Sequence, residues 1–197
     1  MGGRRIASPP GIGVRPTSER VRESLFSILA EGVPGAAFLD LFAGTGAIGI
    51  EALSRGAALA VFVDSDGRRC GALRESLLGL SLGDASRVLR ADVMGAAFPR
   101  AVARLAHSMR LGRFGIVFAD PPYQMPGIGR IPRIVSDMPE VSDFATLVVE
   151  HGSNADMPDS AGRFAKRRVK GYGGTSMTFY SDSRASNSQK KQVVAGS

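Results

Sequence analysis

Short apolar runs alternate with longer amphipathic stretches along most of this chain. Residues 36–41, 58–63, 114–119 and 146–150 are near-continuous apolar segments of strand length, and residues 87–91 form a weaker fifth. Runs of this kind read as strands of a parallel sheet buried on both faces. Between them lie stretches with helical spacing. In residues 17–30, Val21, Leu25, Ile28 and Leu29 fall on one stripe, Thr17 is placed to cap the helix and Glu19 favours its first turn. Residues 48–54, 66–80 and 96–109 read as further helices, the first closed by Arg55-Gly56. Pro126, Pro132 and Pro139 break residues 125–143 into a loop with at most one short helix. Residues 163–180 carry two strand-like runs around Gly171-Tyr-Gly-Gly174, a hairpin signal. The fold class expected is α/β, Rossmann-like and mostly parallel, with a C-terminal antiparallel hairpin at one edge.

The first strand opens onto the most informative turn. Leu39-Asp-Leu-Phe-Ala-Gly-Thr-Gly-Ala-Ile-Gly49 joins a strand to a helix N-terminus through glycines that let a backbone approach a ligand. The spacing of Gly44, Gly46 and Gly49 fits a dinucleotide fingerprint, with Asp64 at a suitable distance for a ribose hydroxyl. Asp40 inside the strand instead suits a cationic ligand end, and Phe42 narrows the turn. S-adenosylmethionine, with an adenosine at one end and an ammonium at the other, accommodates both acidic positions; a nicotinamide dinucleotide stays open at this corner. Asp64-Ser65 follows the second strand and Asp92-Val93 the third, so carboxylates recur where α/β sheets gather their ligands. Asp40, Phe42, Ala43, Gly44, Thr45, Gly46, Asp64, Ser65, Asp92 and Val93 are the candidate cofactor residues.

Length and composition suit a single domain with a sizeable core. No apolar run approaches the roughly 20 residues of a membrane span, and the first residues lack the apolar centre of a signal peptide. Cys70 is the only cysteine, which rules out an internal disulfide and fits a cytoplasmic setting. Two histidines and one thiol spell out no metal cluster. The net charge of +7 is unevenly placed. Residues 1–22 carry five arginines against Glu19, and residues 163–191 carry eight Lys or Arg against Asp182, so the body between them is net negative. Basic ends around an acidic body suggest a polyanion gripped from the rim. Arg4, Arg5, Arg15, Arg20, Arg22, Lys166, Arg167 and Arg168 are the candidates for that grip. Residues 1–14 are expected to be a mobile basic arm, 15–180 one domain and 181–197 a disordered tail.

The fourth strand delivers Asp120-Pro-Pro-Tyr123. Consecutive prolines stiffen the backbone and lack N–H groups, leaving carbonyls free to accept. With the Asp120 carboxylate and the flat Tyr123 ring, this tetrapeptide suits an exocyclic amino group on a planar base. Such an amine is a poor nucleophile, and holding its two hydrogens aims its lone pair at a methyl donor. Guanine presents N1–H beside its amino group, whereas adenine presents an acceptor there, so a carboxylate at position 120 favours guanine. The same logic serves adenine N6 in DNA or a glutamine side chain in a protein.

The chain resembles the bacterial 16S rRNA guanine-N2 methyltransferase family usually called RsmD. The resemblance covers about residues 11–180. It is carried by Arg15-Pro-Thr, Arg20-Val-Arg-Glu23, Leu25-Phe26, the segment from Leu39 to Gly49, Glu51-Ala-Leu-Ser-Arg-Gly56, Asp120-Pro-Pro-Tyr123 and Tyr172-Gly-Gly-Thr175. It implies a class I methyltransferase sheet of seven strands and S-adenosyl-L-methionine as donor. It also implies N2 of one guanine in 16S rRNA, free or in the assembling small ribosomal subunit, as the target. By position, the cofactor would lie at Asp40 to Gly46, Asp64 and Asp92, and the base at Asp120, Pro121, Pro122 and Tyr123. A metal-free monomer is expected.

Overall fold

The computed structural model describes residues 19–182. Its first helix, α1 (Glu19–Leu29), buries Val21, Leu25, Phe26 and Leu29, the stripe expected from their spacing with Phe26 in place of Ile28. Thr17, the expected cap, lies outside the described residues. There follow β1 (Ala37–Leu41), α2 (Ala47–Ser54), β2 (Leu59–Asp64), α3 (Gly67–Gly79), β3 (Ser86–Arg90), α4 (Phe98–Ser108) and β4 (Phe114–Ala119). The chain continues with α5 (Ile131–Ser136), β5 (Val141–Gly152), β6 (Ser160–Ala161), β7 (Phe164–Tyr172) and β8 (Thr175–Asp182). The eight strands form one sheet in the order β3-β2-β1-β4-β5-β8-β7-β6. The first five are parallel and the last three antiparallel.

Alternation along the strands divides the core between two faces. Leu39, Val61, Val117, Leu147 and Val149 pack against α4 and α5 through Phe98, Val102, Ile131 and Val135. On the other face Phe38, Phe62, Phe118 and Phe179 meet Leu25 and Phe26 of α1 and Leu73 of α3. Asp66 starts α3 by accepting from the Arg68 and Arg69 N–H groups, which holds its carboxyl below the usual carboxylate range. Among the described residues, no helix is long and apolar enough to cross a membrane.

Three details depart from the sequence reading. β5 begins at Val141 rather than 146, because Val141 pairs with Phe114 before a bulge re-sets the register at Ile116–Thr146. The intervening Ser142-Asp143 gives no apolar signal. The eighth strand, β6, is only two residues opposite Phe164–Ala165, too short to mark itself. β8 continues through Ser181 to Asp182, which is buried, so the domain runs past the boundary placed at residue 180. The expected hairpin is a two-residue turn: Tyr172 pairs with Thr175, and Gly173 takes the left-handed conformation at φ +66.

Candidate active site

Strand order reverses at β1, which lies between β2 and β4. In open α/β sheets the crevice beyond the strand ends at such a point is the ligand site. A cavity of about 710 Å³ opens there. Phe42, Gly44, Asp64, Ser65, Asp92 and Val93 line it, as do Asp120, Pro121, Pro122 and Tyr123. Segments from four different strand ends thus meet in one space, as the sequence reading expected.

The turn after β1 is built by its backbone. Phe42 sits at φ +62, an unusual conformation for a bulky residue, and Gly44 and Gly46 follow at φ +55 and +76. The Ala43 N–H donates to the Val63 carbonyl and the Gly46 N–H to the Ala43 carbonyl. A Cβ on Gly46 would meet Leu73 Cδ1 at 2.5 Å, and one on Gly49 would overlap the Phe62 ring. Gly46 and Gly49 therefore let α2 close onto the sheet, while Gly44 faces the cavity.

Asp64 ties this turn to β2. Its Oδ2 accepts from the Gly44 N–H at 3.0 Å and its Oδ1 from the Asp66 N–H at 2.8 Å. Arg69 also holds Oδ1, through Nε at 3.2 Å and a second guanidinium nitrogen at 3.0 Å. Asp92 is exposed at the end of β3, and its Oδ1 accepts from the Met94 N–H. The Pro122 carbonyl accepts from the Met125 N–H, closing the turn that carries Tyr123. The Tyr123 ring is 66% exposed and rests on Gly152, where a Cβ would come within 3.0–3.3 Å of its Cε2, Cζ and Oη atoms.

Asp40 stands apart from the cavity wall in this geometry. Its carboxylate is 2% exposed, accepts from the Gly49 N–H at 3.0 Å and is not among the cavity's lining residues. Burial pushes its carboxyl well above the ordinary range, against the Gly49 hydrogen bond and with help from the charges of Asp120 and Asp64. It fastens the turn to α2 from behind. Ala43, Thr45 and Gly46 likewise shape the turn without lining the cavity.

The basic residues divide. Arg4, Arg5 and Arg15 lie outside the described residues. Arg20 is exposed, while Arg22 is partly buried and 4.0 Å from Glu19. Lys166 donates to the Met157 carbonyl and pairs with Asp159 at 2.6 Å, and Arg167 bonds Ser181 Oγ and the Asp182 carbonyl. Arg168 is exposed. Lys166 lies opposite Tyr180, which pairs with Leu147, three residues before the cavity wall begins at Glu150. At about 3.4 Å per residue that register places the cluster roughly 10 Å along the sheet from the wall. It does not rim the cavity, and two of its three side chains are engaged within the fold.

Sequence reasoning missed the wall supplied by Glu150, His151 and Gly152, although the rule about strand ends applies to the fifth strand as to the others. His151 is buried, with Nε2 2.7 Å from Thr178 Oγ1 and Nδ1 2.8 Å from the Gly152 carbonyl. The Gly152 carbonyl only accepts, so Nδ1–H donates to it; burial lowers the ring's pKa, which favours the neutral form, in which Nε2 accepts from Thr178. Tyr172 and Thr175 arrive from the hairpin, and Val21 from α1. Ser24 of α1 receives hydrogen bonds from Lys170 and Tyr172, fastening that helix beside the site. Nothing local in the sequence joins residues 24 and 172.

A parallel sheet with an antiparallel edge, a glycine turn after β1 and an Asp-Pro-Pro-Tyr turn after β4 define a class I methyltransferase. The chain belongs to the family described as Conserved hypothetical protein 95, whose model matches residues 1–181. A relative, the Escherichia coli K12 protein named Ribosomal RNA small subunit methyltransferase D, is 32% identical over 178 residues, covering 90% of this chain and 84% of that protein. Among solved structures, a hypothetical protein of Thermus thermophilus is 28% identical with a TM-score of 0.71, over 89% of this chain and 93% of that one. An RNA methyltransferase from Salinibacter ruber, solved with S-adenosyl-L-homocysteine, shares the fold at a TM-score of 0.59 and 18% identity, over 84% and 92% of the two chains.

Proposed function

We propose that this protein transfers a methyl group from S-adenosylmethionine to the N2 amino group of a guanine in small-subunit rRNA. The observation that carries the reading is one cavity holding Asp120-Pro-Pro-Tyr123 at one end and the glycine turn with Asp64 and Asp92 at the other. The similarity to a protein named for small-subunit rRNA methylation supports it.

The residues fit the cofactor. The cavity volume lies in the range of small-molecule sites, about 300–1,000 Å³. Asp64 has about four acceptor positions on its two oxygens, and Oδ2 has given one to Gly44. A ribose hydroxyl can take the other on Oδ2, while Oδ1 is already held by Asp66 and Arg69. Asp92 and Val93 offer a carboxylate and an apolar surface for the adenine.

When bound, the cofactor supplies an electrophilic methyl on sulfur; the chain's own residues prepare the acceptor. Asp120 and the Pro121 carbonyl accept the two amine hydrogens and turn the nitrogen lone pair toward the donor. Pro122 fixes the turn, and Tyr123 stacks on the base, holding it in the plane those acceptors require. As the nitrogen–carbon bond forms, the sulfur–methyl bond would break with its electron pair left on a neutral thioether; the nitrogen then carries the positive charge and sheds one proton, for which the Asp120 carboxylate is at hand. Asp120 also accepts from guanine N1–H, which adenine lacks.

The test is transfer of tritium from methyl-labelled cofactor to RNA, DNA or protein, followed by mapping of the labelled nucleotide. Label on a small-subunit guanine is expected. Label in DNA or protein alone, or tight NAD binding without transfer, overturns the reading.

A further inference from the structure

A second hollow of about 600 Å³ adjoins the first, and Tyr123, Gln124, Met125 and Gly152 line both. Its other walls are the segment from Gly127 to Arg130 and the segment from Asn154 to Asp156. A Cβ on Gly129 would press on the Asp156 carbonyl at 3.3 Å, and one on Gly127, at φ +74, would lie 3.5 Å from Arg130 Cδ. The glycines thus keep both walls thin and close. Met125 and Ile128 are partly buried apolar surfaces; Arg130 and Asn154 are exposed at the rim. The hollow therefore pairs an aromatic ring and apolar side chains with a guanidinium and an amide.

We propose that this hollow receives the nucleotide next to the target guanine. The inference rests on the methylation of RNA proposed above. An enzyme that draws a base out of a folded RNA leaves the neighbouring base with a bare face. An aromatic ring bordering both spaces gives the target and its neighbour adjoining stacking surfaces. Met125 and Ile128 cover the neighbour's remaining surface, and Arg130 meets the phosphate that joins the two nucleotides. Asn154 and Asp156 face its polar edge. Mostly backbone and stacking contacts of this kind tolerate any base, so the hollow grips position rather than sequence.

The experiment uses the full chain and the RNA mapped by tritium transfer, presented as in that assay. Three forms of the RNA are compared: intact, and abasic at the nucleotide on the 5′ or the 3′ side of the target. The parent enzyme is expected to methylate one abasic RNA about 5- to 150-fold less efficiently than the intact RNA. Ala155→Phe fills the second hollow from a position that does not line the first. It is expected to lower kcat/KM on intact RNA by a similar factor and to abolish discrimination against the abasic RNA. Arg130→Gln should shallow the log–log salt dependence of RNA binding by about 0.7. Cofactor affinity by calorimetry and thermal midpoints should match the parent. Equal rates on all three RNAs, or variants that act like the parent on intact RNA, overturn the proposal. A parent enzyme that labels no RNA overturns the functional reading as well. Should Ala155→Phe misfold, as its melting would reveal, Arg130→Gln with an unchanged salt slope is decisive against the proposal.

Discussion

Adding one methyl group at Gly152 should separate the placement of the base from every other property of the enzyme. Gly152 is absent from the positions with positive φ, so alanine meets no backbone strain there. Its Cβ would lie 3.0 Å from Tyr123 Cε2, 3.2 Å from Cζ and 3.3 Å from Oη. Ordinary carbon contacts lie at about 3.5–4.0 Å, so the ring must withdraw by roughly half an ångström or more. The ring is 66% exposed and can swing outward with little resistance. Stability should therefore hold, helped by the lower entropy of the unfolded alanine chain, worth about 0.4–1 kcal/mol. The loss should fall on stacking of the target base, about 1–3 kcal/mol, which is roughly 5- to 150-fold in kcat/KM. Methyl transfer to RNA, thermal melting and cofactor calorimetry would be measured for Gly152→Ala, Tyr123→Ala and the double variant. The expected result is unchanged cofactor affinity, a melting point near the parent's, and no further loss when Gly152→Ala is added to Tyr123→Ala. Full activity in Gly152→Ala would show that the ring's position is immaterial. Additive losses would show that the methyl acts on something other than Tyr123.

Three further outcomes are expected. Asp120→Ala should retain cofactor affinity while losing at least about 100-fold in methyl transfer, because it removes an acceptor that aims the amine; equal losses in binding and rate would contradict that role. Gly49→Ala should destabilise the fold by about 1–3 kcal/mol, since its Cβ overlaps the Phe62 ring, and Phe62→Leu should recover part of the loss in denaturant melts. Asp40→Asn keeps an oxygen for the Gly49 N–H but no longer titrates. Because burial raises the folded pKa of Asp40, the native state binds the proton more tightly than the unfolded chain. Its stability therefore falls as pH rises from the ordinary carboxylate range through the raised value, then levels off. Asp40→Asn should consequently melt higher than the parent at neutral pH, with the gap narrowing toward pH 4; a lower melting point at neutral pH would mean the charge is compensated in the fold.

The order of strands and helices was legible in the sequence because a strand buried on both faces must be apolar throughout, and a covering helix must carry a stripe. The glycine turn, the carboxylates after β2 and β3, and Asp120-Pro-Pro-Tyr123 were legible for a related reason. Each is local, and strand ends of a parallel sheet converge whatever the details of packing. Tertiary structure alone decided which of those residues face the cavity. Asp40 lies inside one apolar strand and Asp64 ends the next, and one carboxylate turns behind the loop to Gly49 while the other stands beside Gly44. Both lie on the Phe38–Phe62 face; Asp40 is in register with Phe62, two residues short of Asp64, so α2 covers it while Asp64 reaches the strand end beside the turn. The Lys166 cluster reads as one basic patch in sequence. Pairing with β8 carries it down the sheet, and Asp159 and Asp182 engage two of its members. Likewise Tyr123 upon Gly152, and Ser24 beneath Tyr172, depend on residues about 30 and 150 positions apart. Contacts of that separation are set by sheet order and register, which no local pattern of residues encodes.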